Sequence, residues 1–585
     1  MNLFKVADLY VSRIVNSKAK PNANAEESTK IKALLLDKDT VTTISMCSTQ
    51  TELLQNEVYL VDTLENPNRD TMRHIKCMVY ISPSEESIQL LVKELQNPKY
   101  GEYHIFFNNM VSKSQLERLA EADDMEAVVK VEEIFQDYHI LNEDLCTLDC
   151  SNDLLFRNFE LWDEDGLRTV TESITSLLLS LKLRPQIRYA TNSKLCAKLA
   201  KEVEFSISQN DTSLFDFPTM DTTPILLLLD RKNDPLTPLL QPWTYQSMIH
   251  EYIGVKRNIV DLSKVDNIDK DLQKVTLSAK QDPFFHDTMY LNFGELGDKV
   301  KQYVINYKDK TQSNTKIETI EDIKGFIEKY PEFRKLSGNV SKHMAIVGEL
   351  DKQLQLRDIW GVSELEQNIS VHDDNQEDYQ QLLTLLDSQK LDNFYKLKLS
   401  CIYMLRHGNS NPRQMDNLIS RLKSSSMPIE DVNLLLKIKK MFHTDFSNNT
   451  SVDNMKKTNN VSDHLLSDLA RRFNDKLNSR NNNNSTMSDN VFMQHLPEIS
   501  HILTELSTNK LSIEKYKYLK EPSSIRNTLP PQDTVVFIVG GVTYEEAKII
   551  HEFNQDISKN NNNMRVVLGG NDILSTREFL RSLRL

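Results

Sequence analysis

The chain has little of what disulfide-stabilised, membrane-spanning or nucleic-acid-binding proteins need. Six cysteines in 585 residues are too few for a disulfide framework, so we expect reduced and mostly buried thiols. No apolar run approaches the ~18 residues of a membrane span, and Ile225–Leu229 is typical of the strongest. Eighty-four acidic against 70 basic residues give a net charge of −14, which disfavours binding to nucleic acid or anionic lipid. The 39% of hydrophobic residues predicts a large globular protein with sizeable cores.

Catalytic and metal-binding motifs are also missing from the sequence. It contains no P-loop, no Gly-x-Gly-x-x-Gly, no Gly-x-Ser-x-Gly and no His-Glu-x-x-His. The pairs His250-Glu251 and His551-Glu552 lack the second histidine of a zinc site, and Cys146-x-x-x-Cys150 lacks a second ligand pair. We therefore expect no cofactor, no metal and no enzymatic activity.

Two segments keep an enzymatic alternative open. Asp230 and Asp234 follow a buried strand, where α/β enzymes place acidic groups, so a phosphate-handling enzyme with these residues as metal ligands is one interpretation. The pattern favours the other interpretation, in which Asp230 ends the strand and caps a turn. Gly540-Gly541 could let a phosphate approach a helix start, but Thr543 and Glu546 form a capping box typical of a plain strand-to-helix turn.

The first part of the chain alternates short β-rich runs with helical patterns. It opens with an amphipathic helix, in place of a secretory signal, because Leu3, Ala7, Tyr10 and Ile14 repeat at helical spacing. Two helix starts are predicted, at Ser82 followed by Pro83 and at a capping box formed by Ser114 and Glu117. Strand runs separated by helices predict a mostly parallel sheet with helices on both faces. The strands are expected at Lys32–Asp37, Glu57–Val61, Cys77–Ile81 and Tyr103–Phe107.

A second α/β region is interrupted by a long helical stretch, from Gln241 to about Phe473. Strands are predicted at 187–189 and 225–229 before it, and at 533–541 and 564–570 after it. We interpret the late strands as completing the earlier sheet, with the helical stretch as an insertion. The predicted domains are 1–141, 142–240 plus 464–585, and 241–463. Three Asn-rich segments are expected to form solvated or disordered loops, at Ser447–Asn460, Arg480–Asp489 and Asn560–Asn563.

The segment from Pro224 to Gly254, PILLLLDRKNDPLTPLLQPWTYQSMIHEYIG, resembles the central signature of the SM family of Sec/Munc-type, syntaxin-binding proteins. Similar blocks include MNLFKVADLY, FRKLSGNVSKHMAIVGEL and FIVGGVTYEEAKIIHEFN, so the resemblance spans almost the whole chain. It is strongest to the vacuolar-protein-sorting branch, which acts between Golgi and endosomes. The resemblance implies an α/β plus α fold, an arch of two Rossmann-like α/β/α units with parallel sheets and a mainly helical insertion in the second.

The same resemblance implies a non-enzymatic regulator of SNARE-mediated membrane fusion. Its implied partners are a Qa-SNARE syntaxin of the trans-Golgi or endosome, a vesicle R-SNARE and the assembling SNARE complex, with no nucleic acid. It further implies a cytoplasmic protein, peripherally associated with Golgi, endosomal and vesicle membranes only through SNAREs. A coat or tether subunit held at membranes by other proteins remains an alternative.

Two surfaces are implied by the resemblance. The first is a pocket for the syntaxin amino-terminal peptide within Ser114–Phe135; the alternative is that its apolar members are core residues. The second is a helical hairpin at about 320–355, in which Pro331 forms a hinge at the tip, because a proline breaks or kinks a helix. The predicted apolar pocket residues are Leu116 and Leu119, on one side of a helix, and Val128, Val131 and Phe135, which lie three and four apart. Glu132 is expected in the polar rim of the pocket.

Overall fold

The structure is a computed structural model. The residues that it describes are 1–17, 31–150, 161–218, 220–265, 268, 270–300, 302, 320–357, 359–372, 376–408, 411–424, 427–449, 492–521, 530–559 and 564–584. The predicted loops at Arg480–Asp489 and Asn560–Asn563 lie outside these residues. Of the predicted loop Ser447–Asn460, only the first three residues are described, and they form the end of a helix.

The amino-terminal region contains a five-stranded parallel sheet, here called sheet A. Its strand order is β2-β1-β3-β4-β5, and every neighbouring pair is parallel. Separate apolar clusters cover its two faces, as expected when helices flank a parallel sheet. The predicted parallel sheet is therefore confirmed. The strands are β1 Lys32–Leu36, β2 Val58–Thr63, β3 Met72–Ile81, β4 Tyr100–Phe107 and β5 Val128–Glu133.

The helices around sheet A confirm the amphipathic first helix but correct both predicted starts. The helix after β3 is capped by Ser84 and not by Ser82, since the Ser84 hydroxyl accepts a hydrogen bond from the Ser87 amide. The next helix is capped by Ser112, whose capping box is completed by Gln115. In each case the observed cap is a serine two residues from the predicted one, and its hydroxyl accepts a hydrogen bond from the amide of the third helical residue. The helices are α1 Leu3–Val15, α2 Thr40–Cys47, α3 Gln50–Gln55, α4 Glu85–Gln96 and α5 Lys113–Ala122.

The second sheet, sheet B, joins segments from both sides of the helical stretch. Its order is β13-β8-β9-β14-β15-β7-β6, with a parallel centre and an antiparallel strand at each edge. Val535 of β14 lies opposite Leu226 of β9, so the late strands do complete the earlier sheet. The strands are β6 His139–Asn142, β7 Leu145–Thr147, β8 Gln186–Ala190, β9 Ile225–Asp230, β13 Tyr516–Tyr518, β14 Asp533–Val539 and β15 Arg565–Gly570.

Helices cover both faces of sheet B and form most of the region between its two halves. That region is less purely helical than predicted, because it contains a small antiparallel sheet of β10 Val255–Lys256, β11 Ile259–Asp261 and β12 Lys274–Thr276. In the described part of the chain, no helix is both long and apolar enough to cross a membrane. The helices are α6 Glu164–Ser180, α7 Lys194–Gln209, α8 Tyr245–Tyr252, α9 Pro283–Thr288, α10 Ile320–Arg357, α11 Ile359–Val371, α12 Gln376–Asp387, α13 Asn393–His407, α14 Pro412–Ser424, α15 Ile429–Asn449, α16 Glu498–Ser507, α17 Tyr544–Lys559 and α18 Thr576–Arg584.

The predicted hairpin at 320–355 is a single helix in this structure. Helix α10 continues for 38 residues and passes through Pro331 without a break. A proline inside a helix costs about 3 kcal/mol, because it removes one backbone donor and crowds the preceding turn. The other hydrogen bonds of this 38-residue helix offset that free energy, so the helix continues past Pro331. Helix α10 is therefore unbroken at Pro331 in the conformation described, and the hinge at Pro331 stays a prediction.

Candidate functional site

The predicted pocket lies at the outer edge of sheet A, where β5 is the last strand. Val131 is in register with Ile105 of β4, so both lie on the face of the sheet that α5 covers. On this face Leu119 is buried and Val128 is half-buried against the core, whereas Leu116 is 37% exposed and Val131 is 44% exposed. On this face the structure thus leaves Leu116 and Val131 at the surface, whereas Leu119 and Val128 pack in the apolar cluster of that face.

The remaining two predicted residues lie on the opposite face of the sheet. Glu132 is in register with Phe106, and its carboxylate pairs with Arg13 of α1 and with Lys130 at 2.6 Å. Phe135 follows the strand and packs, half-buried, against the same apolar cluster that contains Phe106. The six residues therefore do not share one face.

The helical spacing assumed for Val128, Val131 and Phe135 is wrong, because 128–133 is a strand. Side chains alternate between the two faces of a strand, so residues three apart lie on opposite faces unless a bulge intervenes. A register shift between Tyr103 and His104 of β4 places such an irregularity opposite Val129, which is 45% exposed. Sequence reasoning missed Val129. The β-branched run VVKVEE was the available signal for a strand.

The outer side of β5 offers backbone groups as well as apolar side chains. Among the described residues, β5 pairs with β4 only, so no described strand occupies its other side. An unpaired parallel-sheet edge can accept an extended peptide through main-chain hydrogen bonds, with side-chain pockets giving specificity. Here the exposed apolar side chains beside that edge are Leu116, Val129 and Val131.

The acidic residues of the signature segment have structural partners. The Asp230 carboxylate accepts hydrogen bonds from the Lys232 amide at 2.9 Å and from the Ser193 hydroxyl at 2.5 Å, and burial raises its pKa. The Asp234 carboxylate accepts hydrogen bonds from the amide and the hydroxyl of Thr237. The predicted strand end and turn are confirmed. Within the described residues, neither aspartate belongs to a group of three or more potential metal ligands.

The arginine between these two aspartates is buried in an ion pair with the late part of the chain. Arg231 and Glu546 are 1% and 2% exposed, with 2.6 Å between Nη2 and Oε2. Arg231 Nε also donates to the Gly541 carbonyl oxygen at 3.1 Å. Gly541 has φ +99°, and a Cβ added there would lie 3.0 Å from the Asp572 carbonyl oxygen. The predicted tight strand-to-helix turn is therefore confirmed, and it is built around the Arg231 side chain.

The capping box at the start of α17 completes this turn. The Thr543 amide donates to the Glu546 carboxylate at 2.9 Å, and the Glu546 amide donates to the Thr543 hydroxyl at 3.2 Å. Glu546 thus serves the helix cap and the Arg231 ion pair together. The two charged side chains that build this turn, Arg231 and Glu546, therefore neutralise each other.

The later part of the signature segment holds the helical region against sheet B. Trp243 stacks on Trp360 with ring centroids 4.5 Å apart, and its indole Nε1 donates to the Ser363 hydroxyl at 2.8 Å. The Gln241 amide donates to Glu366, which forms a buried ion pair with Lys398 at 2.9 Å. The signature segment is therefore a structural junction between α11, α13 and the sheet.

A second contact of this segment anchors the long helix α10. The Tyr245 hydroxyl lies 2.8 Å from His343 Nδ1, and His343 Nε2 lies 2.7 Å from the Asp282 carboxylate, which Lys342 also contacts. Burial opposes ionisation of Asp282, but His343 and Lys342 overcome it and hold the pKa of that carboxyl well below its ordinary value. Beyond this anchor, α10 buries Leu350 and exposes Met344 and Leu356.

Comparison with known proteins shows which protein family has this architecture. A sequence profile described as the Sec1 family matches residues 32–582. The chain is 56% identical to vacuolar protein sorting-associated protein 45 of Saccharomyces cerevisiae and 35% identical to that of Mus musculus, covering all of this chain and 100% and 96% of those proteins.

Solved structures agree with the sequence comparison. The structure described as SM protein Vps45 in complex with Qa SNARE Tlg2 is 39% identical, with a TM-score of 0.83 over 100% of this chain and 98% of that one. The Unc18–syntaxin 1 complex from Monosiga brevicollis matches with a TM-score of 0.74 at 18% identity, which supports the fold alone. The predicted α/β plus α fold is therefore confirmed.

Proposed function

Because the chain belongs to the Sec1 family, we propose that it binds a Qa-SNARE syntaxin and promotes SNARE assembly in vesicle transport between Golgi, endosome and vacuole. The observation that carries this proposal is the full-length similarity to a Vps45 that was solved with the Qa SNARE Tlg2. We further propose that the protein acts without catalysis, in the cytoplasm, and reaches Golgi, endosomal and vesicle membranes through its SNARE partners.

The mechanism follows from the cost of ordering SNARE helices. Isolated helices are marginally stable before assembly, because the first helical turns fix many dihedral angles for few hydrogen bonds. A scaffold that holds a syntaxin and presents a vesicle R-SNARE beside it lowers that cost at the moment of pairing. Helix α10, with its exposed Met344 and Leu356, is the proposed surface for the second helix.

The outer edge of sheet A is the proposed anchor for the syntaxin amino-terminal peptide. Leu116 and Val131 are its exposed apolar contacts, and the free side of β5 supplies backbone hydrogen bonds to an extended chain. Leu119 and Val128 support them from below, whereas Glu132 and Phe135 position the strand from its other face. Anchoring one end of the syntaxin raises the effective concentration of the rest at the scaffold.

The experiment that tests the function is copurification followed by reconstituted fusion. The purified chain is expected to form a one-to-one complex with the cytosolic part of a Golgi or endosomal Qa-SNARE and to accelerate fusion of liposomes that carry the matching SNAREs. A coat or tether subunit would not form that complex. Failure to bind any Qa-SNARE, together with no effect on fusion, would refute the proposal.

Pro331 gives a separate test of the α10 surface. Since helix α10 is continuous here, Pro331→Ala should favour this extended form by up to about 3 kcal/mol and accelerate SNARE assembly. Liposome fusion measures the rate, and hydrogen exchange of α10 measures the helix directly. Slower exchange without faster fusion would show that the extended helix is not the limiting feature.

A further inference from the structure

Three potential metal ligands meet where both ends of the chain pack against sheet B. Glu143 and Asp144 form the turn between β6 and β7, and His551 lies on α17. One ligand atom from each lies within 4.8 Å of the other two, and no other group of three such residues is found in the described part of the chain. We call these residues the Glu143–Asp144–His551 cluster.

The distances inside the cluster are too long for hydrogen bonds. His551 Nδ1 lies 3.6 Å from Asp144 Oδ2 and 3.8 Å from Glu143 Oε1, whereas such bonds span about 2.7–3.2 Å. Two ligand atoms that are each ~2.1 Å from a tetrahedral zinc ion lie ~3.4 Å apart. The observed separations are therefore close to those between two ligands of one metal ion.

Buried and unsatisfied polar atoms are the second observation that points to a ligand. The Asp144 side chain is only 4% exposed, and its Oδ1 atom has no hydrogen-bond partner among the described residues. His551 Nδ1 is buried within ion-pairing distance of both carboxylates, but it is in hydrogen-bond geometry with neither. A buried polar atom left unsatisfied costs about 1–3 kcal/mol, a cost that coordination of a cation would remove.

Neighbouring groups hold the three side chains in place. The Asn2 side-chain amide donates to Glu143 Oε2 at 2.7 Å, and the Asn554 side-chain amide donates to Asp144 Oδ2 at 3.2 Å. The Tyr290 ring packs on the His551 imidazole, with centroids 4.9 Å apart. Such supporting contacts orient ligands in metal sites.

We propose that the Glu143–Asp144–His551 cluster binds one divalent transition-metal ion, with zinc as the best match to its imidazole and carboxylate ligands. The ion would link α17 to the β6–β7 turn, to which the first helix is attached because the Leu3 amide donates to the Glu143 carbonyl oxygen. The site is independent of the proposed SNARE function. It also revises the expectation of no metal, which considered only ligands close together in sequence.

The test is a zinc titration of the full-length, chelator-treated protein against a chromophoric zinc indicator. The unmodified chain is expected to bind one zinc ion and to unfold at a higher temperature with zinc present. His551→Gln and Asp144→Asn should each weaken binding by more than about 100-fold, since losing a direct ligand exceeds the loss of a supporting contact. Both variants should lose the thermal shift.

The matched control is His286→Gln. His286 pairs with Asp287 at 3.0 Å but is exposed and lacks a third ligand, so this variant should bind zinc as the unmodified chain does. No zinc binding at micromolar concentrations, or equal binding by the His551 and Asp144 variants, would overturn the proposal. If Asp144→Asn fails to fold, as circular dichroism would show, the His551→Gln result decides.

Discussion

The outer edge of sheet A and the turn after β9 differ in whether their side chains are paired within the chain or exposed to solvent. At the turn, Asp230, Arg231 and Asp234 are all satisfied within the chain. At the edge, Leu116 and Val131 face solvent, and the free side of β5 has no described strand beside it. The most distinctive segment of the sequence is therefore a structural junction, while the exposed apolar edge that we propose as the partner surface lies in a segment of ordinary composition.

The largest expected effect comes from removing one partner of the buried Arg231–Glu546 ion pair. Glu546→Ala leaves the Arg231 charge buried and unpaired, so the free energy of unfolding should fall by about 3–5 kcal/mol. Denaturant titration measures the change. The control is Glu85→Ala, which removes the exposed Glu85–Arg118 ion pair beside α5 and should leave stability unchanged. Equal effects of the two substitutions would refute the structural role assigned to the Arg231–Glu546 pair.

A second experiment concerns peptide binding at the outer edge of sheet A, where substitutions are expected to lower the affinity without lowering the melting temperature. Leu116→Asp and Val131→Asp place a charge on the exposed apolar edge, so the affinity for a syntaxin amino-terminal peptide should fall about 10- to 100-fold. The melting temperature should not change, because neither side chain is buried. Calorimetry measures the affinity, with Leu161→Asp, another exposed leucine, as the control. Unchanged affinity in both folded variants would exclude this edge as the anchor.

The smallest expected effect concerns pH and a second ion pair of the junction. His250 Nε2 lies 3.1 Å from the Glu578 carboxylate. Burial opposes ionisation of both groups, but their mutual attraction is stronger, so the pKa of Glu578 falls to about 2 and the pKa of His250 rises.

The sign of the pH effect follows from these shifts. The raised pKa of His250 contributes stability below its ordinary value of 6.5, and this contribution is lost as the pH rises through the folded pKa. The lowered pKa of Glu578 contributes stability above 4.5 that is lost as the pH falls toward 2. Both shifts describe one ion pair, which is complete only while Glu578 is ionised and His250 is protonated. Melting temperatures of the unmodified chain and Glu578→Gln should therefore differ most between pH 4.5 and 6.5, and the difference should shrink as the pH rises through the raised pKa of His250. A constant difference would rule out titration of His250 as the cause.

Much of the fold could be predicted because burial leaves a periodic pattern in the sequence. The apolar runs of β1, β9 and β14 mark strands that are buried on both faces, and the Leu3–Ile14 spacing marks one face of α1. Short elements were harder to predict. The spacing of Val128, Val131 and Phe135, three and four apart, predicts a helix where the structure has strand β5.

The sequence predicted a segment for the candidate site, but it could not show how the residues of that segment are arranged. The segment 114–135 does contain an exposed apolar edge, yet only register with β4 shows that Val131 and Glu132 point to opposite faces. Likewise, the proline at 331 indicated a break, but the helix around it continues. Local propensity is a weak signal that packing and helix length override.

Most strands and helices of the two α/β units, and the helical stretch within the second one, could be predicted from periodicity, whereas short strands such as β5 could not. The pairing of Arg231 with Glu546, 315 residues away, and the meeting of His551 with Glu143 and Asp144 could not be predicted and are visible only in the folded chain. The physical reason is that periodicity records whether a side chain is buried, while the identity of its partner depends on how distant segments pack together.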